Sequence, residues 1–289
     1  MNTANKNFPT VTNLGQMLKS RLNLWRSKGR HASLPENILV YRDGVSEGQY
    51  KLVLESELPQ LRQACAETYP ADQTKAGLPR ITIVVVGKRH HTRFYPTSTG
   101  AADRGSNCMP GTVVDRGVTE ARNWDFFLQA HTALQGTARP AHYYVIHDDI
   151  FRSNAKGGST AQKKQGGPPV MKLPLMKGAG GGGAGGSAAG GSNVQDTLEQ
   201  VTQSLCYVFG RATRAVSICT PAYYADIVCE RARKYLHDVF DPTGASDLAS
   251  VTSGGDGGND SDSARASQNA AMQVRITVHE KLKNTMFYI

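Results

Sequence analysis

The chain has 289 residues, of which 39% are apolar, and carries a formal net charge of +9 with a pI near 9.3. No stretch approaches the roughly 18 unbroken apolar residues of a membrane span, and the N-terminus lacks the apolar core of a secretory signal. The five cysteines form no CxxC pair, which indicates reduced thiols and a cytoplasmic or nuclear protein. The positive charge favours a polyanionic partner.

The first part of the chain predicts a strand–helix–strand unit. An amphipathic helix over 14–27 precedes a strand at NILVY (37–41), which ends near Asp43. A second helix is predicted over 46–68, and the β-branched run RITIVVVGKRHH (80–91) predicts a strand that is covered on both faces. A strand, a helix and a returning strand of these lengths are typical of a βαβ unit in a parallel sheet.

A loop-rich stretch with turn signals such as Asn107 then leads to the segment DFFLQAH (125–131) and to a predicted strand at AHYYVIHDD (141–149). Two low-complexity tracts interrupt the remainder of the chain, a Gly-rich tract at 153–193 and a Gly/Ser/Asp-rich tract at 242–266. Neither tract can bury enough apolar area to offset the entropy of ordering it, so we expect both to be disordered.

Two helices are predicted after the first tract. The apolar face of the first one comprises Leu198, Val201, Leu205 and Val208. The second begins near Pro221 and contains Asp226 and Arg231, which stand five positions and therefore about 140° apart on the helix, so they face different surroundings. An arginine on an apolar stripe either lays its stem along that surface or meets an anion, and both alternatives remain open for Arg231.

Asp43 itself has two interpretations that spacing leaves open. An Asp-Gly pair after a strand is a common turn, whereas the carboxyl end of a strand in an α/β fold is also where ligand-binding groups lie. The tripeptide HDD (147–149) offers the same choice between a cation site and a strand-end cap.

The segment GKRHHTR (87–93) also comes directly after a strand and leaves three interpretations. Consecutive histidines on a strand point to opposite faces, which makes a metal site the weakest of them. The others are a solvated basic loop and contact with a polyanion through Lys88, Arg89 and Arg93.

Six blocks in order along the chain resemble the PIWI domain of eukaryotic Argonaute proteins: YRDGVSEGQ, VVVGKRHHTR, PGTVVD, DFFLQAH…QGTARPAHY, RATRAVSICTPAYYADI and CERAR. The resemblance runs from about Leu14 to Ile289, with the two low-complexity tracts as insertions in surface loops. It implies an α/β, incomplete RNase H-like (PIWI) fold, in which a central mixed sheet is flanked by helices. It therefore assigns residues 14–289 to a partial PIWI domain.

The resemblance also implies a function, namely binding of a small guide RNA and its complementary target RNA in RNA silencing. Slicing members of the family cleave the target as endoribonucleases with two Mg²⁺ (or Mn²⁺) ions held by a tetrad of acidic residues and His. Asp43 matches the third member of that tetrad and Asp226 the fourth, as catalytic residues and metal ligands. The positions that match guide-phosphate contacts are Lys88, Arg89, Arg93, His131, Thr137, Arg139, Arg211, Ser217, Tyr223 and Arg231, the last at the 5′ phosphate beside a MID domain.

One departure from the family limits the expected activity. No Asp or Glu precedes Glu36, so the N-terminal segment cannot supply the first two members of the tetrad. We therefore expect no slicing by this chain alone. The alternatives are a non-catalytic nucleic-acid-binding protein and a truncated, inactive Argonaute fragment, with silencing-complex proteins as further expected partners.

Overall fold

The computed structural model describes residues 11, 13–74, 77–151, 194–235 and 278–289, so the two predicted insertions lie outside the described residues. The regular elements in those ranges are α1 (Leu14–Ser27), β1 (Asn37–Asp43), α2 (Tyr50–Thr68), β2 (Arg80–Gly87), β3 (Thr112–Val114), β4 (Trp124–Gln129), β5 (Ala141–Asp148), α3 (Val194–Leu205) and α4 (Thr220–Tyr235). None of the helices in these ranges is long and apolar enough to cross a membrane.

The strands form one mixed sheet in the order β1-β2-β5-β4-β3. β1 and β2 are parallel and are joined through α2, which confirms the predicted βαβ unit. The remaining pairs are antiparallel. The register pairs Asp43 with Val86 and Gly87 with His142, so the ends of β1 and β2 and the start of β5 meet at one edge of the sheet.

Each face of the sheet has its own core, and β2 contributes to both. Val84 and Val86 pack in a cluster with residues of α3 and α4, while Ile81 and Ile83 pack in a second cluster with α1 and α2. All four side chains are buried, which confirms that β2 is covered on both faces. Each such side chain contributes about 1.5–3 kcal/mol on full burial, so this strand anchors the sheet between its two helical layers.

Three sequence predictions about element bounds were wrong. The strand predicted over 80–91 ends at Gly87, because the apolar β-branched run ends there and charged residues come next. The stretch predicted as loop contains the short strand β3, whose three residues are too few to give a periodic signal. α3 ends at Leu205, where tight backbone hydrogen bonds such as Cys206 N–Gln203 O (3.0 Å) close the last turn, so Val208 lies beyond the helix and is 60% exposed.

Candidate nucleic-acid interface

Asp43 and Asp226 come together where β1 faces α4. Alternation along β1 puts Asp43 on the same face as Tyr41, whose hydroxyl hydrogen-bonds to Thr202 Oγ1 on α3 (2.8 Å). Asp226 lies on α4, close enough to Asp43 for the two carboxyls to interact. Burial first, and then the charges of Asp43 and Glu230, raise the pKa of Asp226, which the Arg89 guanidinium partly offsets.

Asp43 also has the turn role that its sequence allows. Its Oδ1 accepts a hydrogen bond from the Gly44 amide (2.6 Å), and Gly44 has φ +74°, a conformation that favours glycine. The turn and the convergence with Asp226 therefore coexist. The Asp43 side chain is held by its own turn and faces α4.

This pair does not by itself fit two divalent cations. Carboxylate oxygens suit Mg²⁺, but one pair of carboxyls leaves most of the charge and coordination of two cations unmet. Among the described residues no group of three or more His, Cys, Asp or Glu side chains is arranged to hold a metal ion. The described part of the chain thus brings together the two carboxyls that the resemblance assigns to the tetrad.

The two aspartates of the HDD tripeptide make contacts within the fold. Asp148 Oδ1 accepts hydrogen bonds from Thr82 Oγ1 (2.7 Å) and from the amides of Ile150 (3.1 Å) and Phe151 (3.0 Å), so it caps the end of β5. Asp149 lies 3.0 Å from His147 and 3.5 Å from Arg62 on α2. These contacts favour the strand-end interpretation over a cation site.

A cleft of about 550 Å³ opens beside the end of β2. Its walls come from the residue after β2, from the loop between β4 and β5, and from the connection between α3 and α4 with the first turn of α4. Six of the ten predicted RNA-binding residues line it: Lys88, His131, Thr137, Arg139, Ser217 and Tyr223. The sheet order explains this convergence, because β2 and β4 both lie next to β5.

The cleft is electropositive. Lys88 Nζ donates a hydrogen bond to Ser217 Oγ, and burial, then the charge of Arg139, lowers the pKa of Lys88. Burial, then the charge of Lys88, lowers the pKa of His131. No carboxylate is among the described residues that line the cleft, so an anion placed there would favour the charged forms of Lys88 and His131.

The other four predicted contacts are not among the residues that line this cleft. Arg89 faces Asp226 closely enough to affect its pKa, and Arg93 donates to the carbonyl oxygens of His90 (3.2 Å) and Thr92 (2.7 Å). The remaining two lie over aromatic rings, Arg211 at 5.8 Å from the centroid of Phe209 and Arg231 at 5.9 Å from that of Tyr235. The Arg231 guanidinium thus lies over the exposed Tyr235 ring, which leaves both sequence alternatives for Arg231 open.

The sequence interpretation missed other polar residues of the cleft. Thr132 and Gln135 line it together with the residues predicted from the same loop. The available signal was the polar run HTALQGTAR between two strands, which predicts a loop but does not indicate which of its side chains face inward.

Comparison with known proteins identifies the family. The Piwi domain model matches residues 1–155, and rice (Oryza sativa subsp. japonica) protein argonaute 1D is 35% identical over 278 residues, which cover 95% of this chain and 22% of that protein. The chain belongs to the Piwi domain family. It spans about a fifth of the length of the curated relatives that it matches, as the 22% for argonaute 1D illustrates.

Solved structures agree with this assignment. The structure of Kluyveromyces polysporus Argonaute with a guide RNA matches 97% of this chain and 27% of its own chain, with a TM-score of 0.63 and 27% identity. The C-terminal lobe of a budding yeast Argonaute matches 96% of this chain and 44% of its own, with a TM-score of 0.62 and 26% identity. The mixed sheet flanked by helices is thus the RNase H-like fold of Argonaute lobes that the sequence predicted.

Proposed function

We propose that the cleft beside β2 binds the sugar–phosphate backbone of a single-stranded guide RNA. The observation that carries this proposal is the concentration of Lys88, His131 and Arg139 around a cleft whose described lining has no carboxylate. A similar solved structure is an Argonaute with a guide RNA, which supports RNA over other polyanions. Neutral donors from Thr137 and Ser217 complement the cations.

The chemistry of these groups suits phosphate recognition without sequence readout. Arg139 is exposed and can present its guanidinium fork to two phosphate oxygens, whereas Lys88 is a compact charge already held by Ser217. Binding releases counterions from the nucleic acid, so the affinity falls as salt rises. Such contacts fix the position of a strand and leave its bases open to pair with a target RNA.

The predicted contacts outside the cleft extend the same basic surface. Arg93 and Arg211 flank the cleft residues in sequence, and Arg211 is exposed to solvent. We assign them outer contacts with the same strand. Arg231, about 140° around α4 from Asp226, is assigned to a terminal phosphate that a further domain would help to hold.

For the chemical step, we propose that this chain alone does not slice RNA. Asp43 and Asp226 are two carboxyls, and among the described residues no group of three or more His, Cys, Asp or Glu side chains is arranged to hold a metal ion. The Mg²⁺-dependent endoribonuclease activity expected of slicing relatives would need acidic ligands beyond this pair. RNA silencing is the process in which such a guide-binding module acts.

Fluorescence anisotropy with a labelled, 5′-phosphorylated single-stranded RNA tests the binding proposal. Lys88→Ala and Arg139→Ala should each weaken binding about tenfold, the loss expected for one charge-assisted phosphate contact. Arg116→Ala is the matched control, because Arg116 is 86% exposed and does not line the cleft. Equal losses in all three variants would leave only nonspecific attraction by net charge, and the cleft proposal would fail.

A further inference from the structure

The loop that lines the cleft is held at its far end by one buried side chain. We call residues 131–139, between β4 and β5, the cleft loop. Asn107, which is 3% exposed, accepts a hydrogen bond from the Ala138 amide at Oδ1 (2.8 Å) and donates from Nδ2 to the Gly136 carbonyl (3.0 Å). The residue between these two partners is Thr137, and the next after them is Arg139, so Asn107 fixes the backbone that carries both cleft residues.

A second buried amide holds the beginning of the same loop. Gln129, the last residue of β4, is 4% exposed, and its Nε2 donates a hydrogen bond to the carbonyl of His131 (2.6 Å). A polar side chain buried at the end of a strand is costly unless it is paired. Gln129 meets that need through the backbone of a residue that lines the cleft.

Asn107 is itself fixed by a closed turn. Asp103 Oδ1 accepts hydrogen bonds from the amides of Gly105 (2.8 Å) and Asn107 (2.9 Å), and the Asp103 amide donates to the Asn107 carbonyl (2.8 Å). The cleft loop also needs Gly136 at φ +68°, a conformation unfavourable for other residues. The loop shape therefore depends on one glycine and on side-chain contacts from outside the loop.

We infer that Asn107 and Gln129 are positioning residues that hold the cleft loop ready for a phosphate backbone. This inference rests on the proposed RNA binding by the same cleft. Neither amide lines the cleft, so both act through the loop backbone. A loop that is already ordered before binding loses little conformational entropy when RNA binds. Less of the RNA-binding free energy is then used to order the loop.

Hydrogen exchange and RNA affinity, measured on the same full-length variants, test the inference. In Asn107→Ala and Gln129→Ala, amides of residues 131–139 should exchange faster, and RNA affinity should fall about fivefold to tenfold. The matched control is Gln73→Ala. Gln73 also bonds a backbone group, accepting from the Leu34 amide (3.2 Å), but it packs near the core on the other face.

A double-mutant cycle separates positioning from general destabilisation. Arg139→Ala should reduce the affinity less in the Asn107→Ala background than in the unmodified chain. In that background Arg139 is already displaced and contributes less to binding, so its removal has a smaller effect. Asn107→Asp retains the acceptor for the Ala138 amide. This variant replaces Asn107→Ala in the cycle if the alanine variant does not fold.

Unchanged exchange in the cleft loop would overturn the inference, as would faster exchange with unchanged affinity or fully additive losses. The proposed function fails by a different result. If Arg139→Ala alone leaves RNA affinity unchanged, the cleft is not an RNA site, and positioning for phosphate is overturned with it, whatever the exchange rates.

Discussion

Asp43, the last residue of β1, lies close enough to Asp226 on α4 for its charge to raise the pKa of Asp226. The two residues are far apart in sequence, and the packing of α4 against β1 brings them together. The pairing raises the pKa of Asp226 through burial and through the charge of Asp43. The pKa of Asp226 therefore tests in solution whether α4 packs against β1.

Asp43→Asn should lower the pKa of Asp226. The substitution removes a negative charge that disfavours ionisation of Asp226 while keeping the size of the side chain. A carboxyl-detected NMR titration measures the change. Glu230→Gln is the control and should lower the pKa less, because Glu230 is the smaller of the two charge effects. An unchanged pKa in Asp43→Asn would show that the two carboxyls do not meet.

His131 should make RNA binding depend on pH. Burial and the charge of Lys88 lower the pKa of His131 from its usual 6.5, so it is neutral at pH 7, and a bound phosphate favours the protonated ring. Affinity should therefore rise as the pH falls from about 7.5 to about 5.5, and His131→Gln should flatten this rise. His147→Gln, beside Asp149 at the end of β5, should leave the rise intact. A profile unaffected by His131→Gln would place that ring outside the RNA contact.

Glu199 should make the folded chain less stable above neutral pH. Burial first, then the charges of Asp115 and Asp196, raise its pKa from 4.5 to about 7. The folded state thus binds the proton more tightly than the unfolded state, so stability falls as the pH rises from 4.5 to about 7 and stays reduced above that range. Glu199→Gln should remove this loss. A gain of about 1 kcal/mol corresponds to a Tm increase of roughly 2–4 °C.

Thermal unfolding at about pH 4.5 and about pH 8 measures this difference. The variant should match the unmodified chain at the lower pH and exceed it at the higher one. Asp196→Asn, at an exposed position, should change Tm by less. Equal Tm values for Glu199→Gln and the unmodified chain at both pH values would contradict the raised pKa.

Glu57→Ala should destabilise the chain strongly. Glu57 is 2% exposed and forms an ion pair with Arg42 (Nη2–Oε1, 3.0 Å), and it also accepts a hydrogen bond from the Val11 amide (3.0 Å). Removing one partner of a buried pair leaves the other charge uncompensated, at a cost of about 3–5 kcal/mol. Urea denaturation measures this loss.

The control is an ion pair on the same helix. Lys51 and Glu55 lie 3.5 Å apart, and their side chains are 83% and 58% exposed. Lys51→Ala should therefore cost roughly 0–1 kcal/mol. Similar losses for Lys51→Ala and Glu57→Ala would show that the Arg42 pair is not buried in solution.

The strongest sequence predictions were those with a periodic or continuous apolar signal. β1, α2 and β2 were predicted because NILVY and RITIVVV are apolar runs separated by a helix of suitable length. The short strand β3 and the early end of α3 gave no such signal. Local backbone hydrogen bonds, rather than apolar spacing, set those bounds.

The sequence predicted some residues of the candidate site but not others. The family resemblance selected Lys88, His131 and Arg139, and these three line one cleft. The role inferred for Asn107 depends on contacts with a loop distant in sequence. Sequence alone marked Asn107 as a turn residue, because spacing along a chain does not indicate which loops meet in three dimensions.

The measurement that tests the central claim most directly is the salt dependence of RNA affinity for the unmodified chain and for the Lys88→Ala/Arg139→Ala double variant. Each neutralised phosphate of a single strand contributes about 0.7 to the slope of log K against log salt. If both residues contact phosphates, the double variant should have a slope smaller in magnitude by about 1.4 and a weaker affinity at every salt concentration. A slope and an affinity equal to those of the unmodified chain would contradict RNA binding in this cleft.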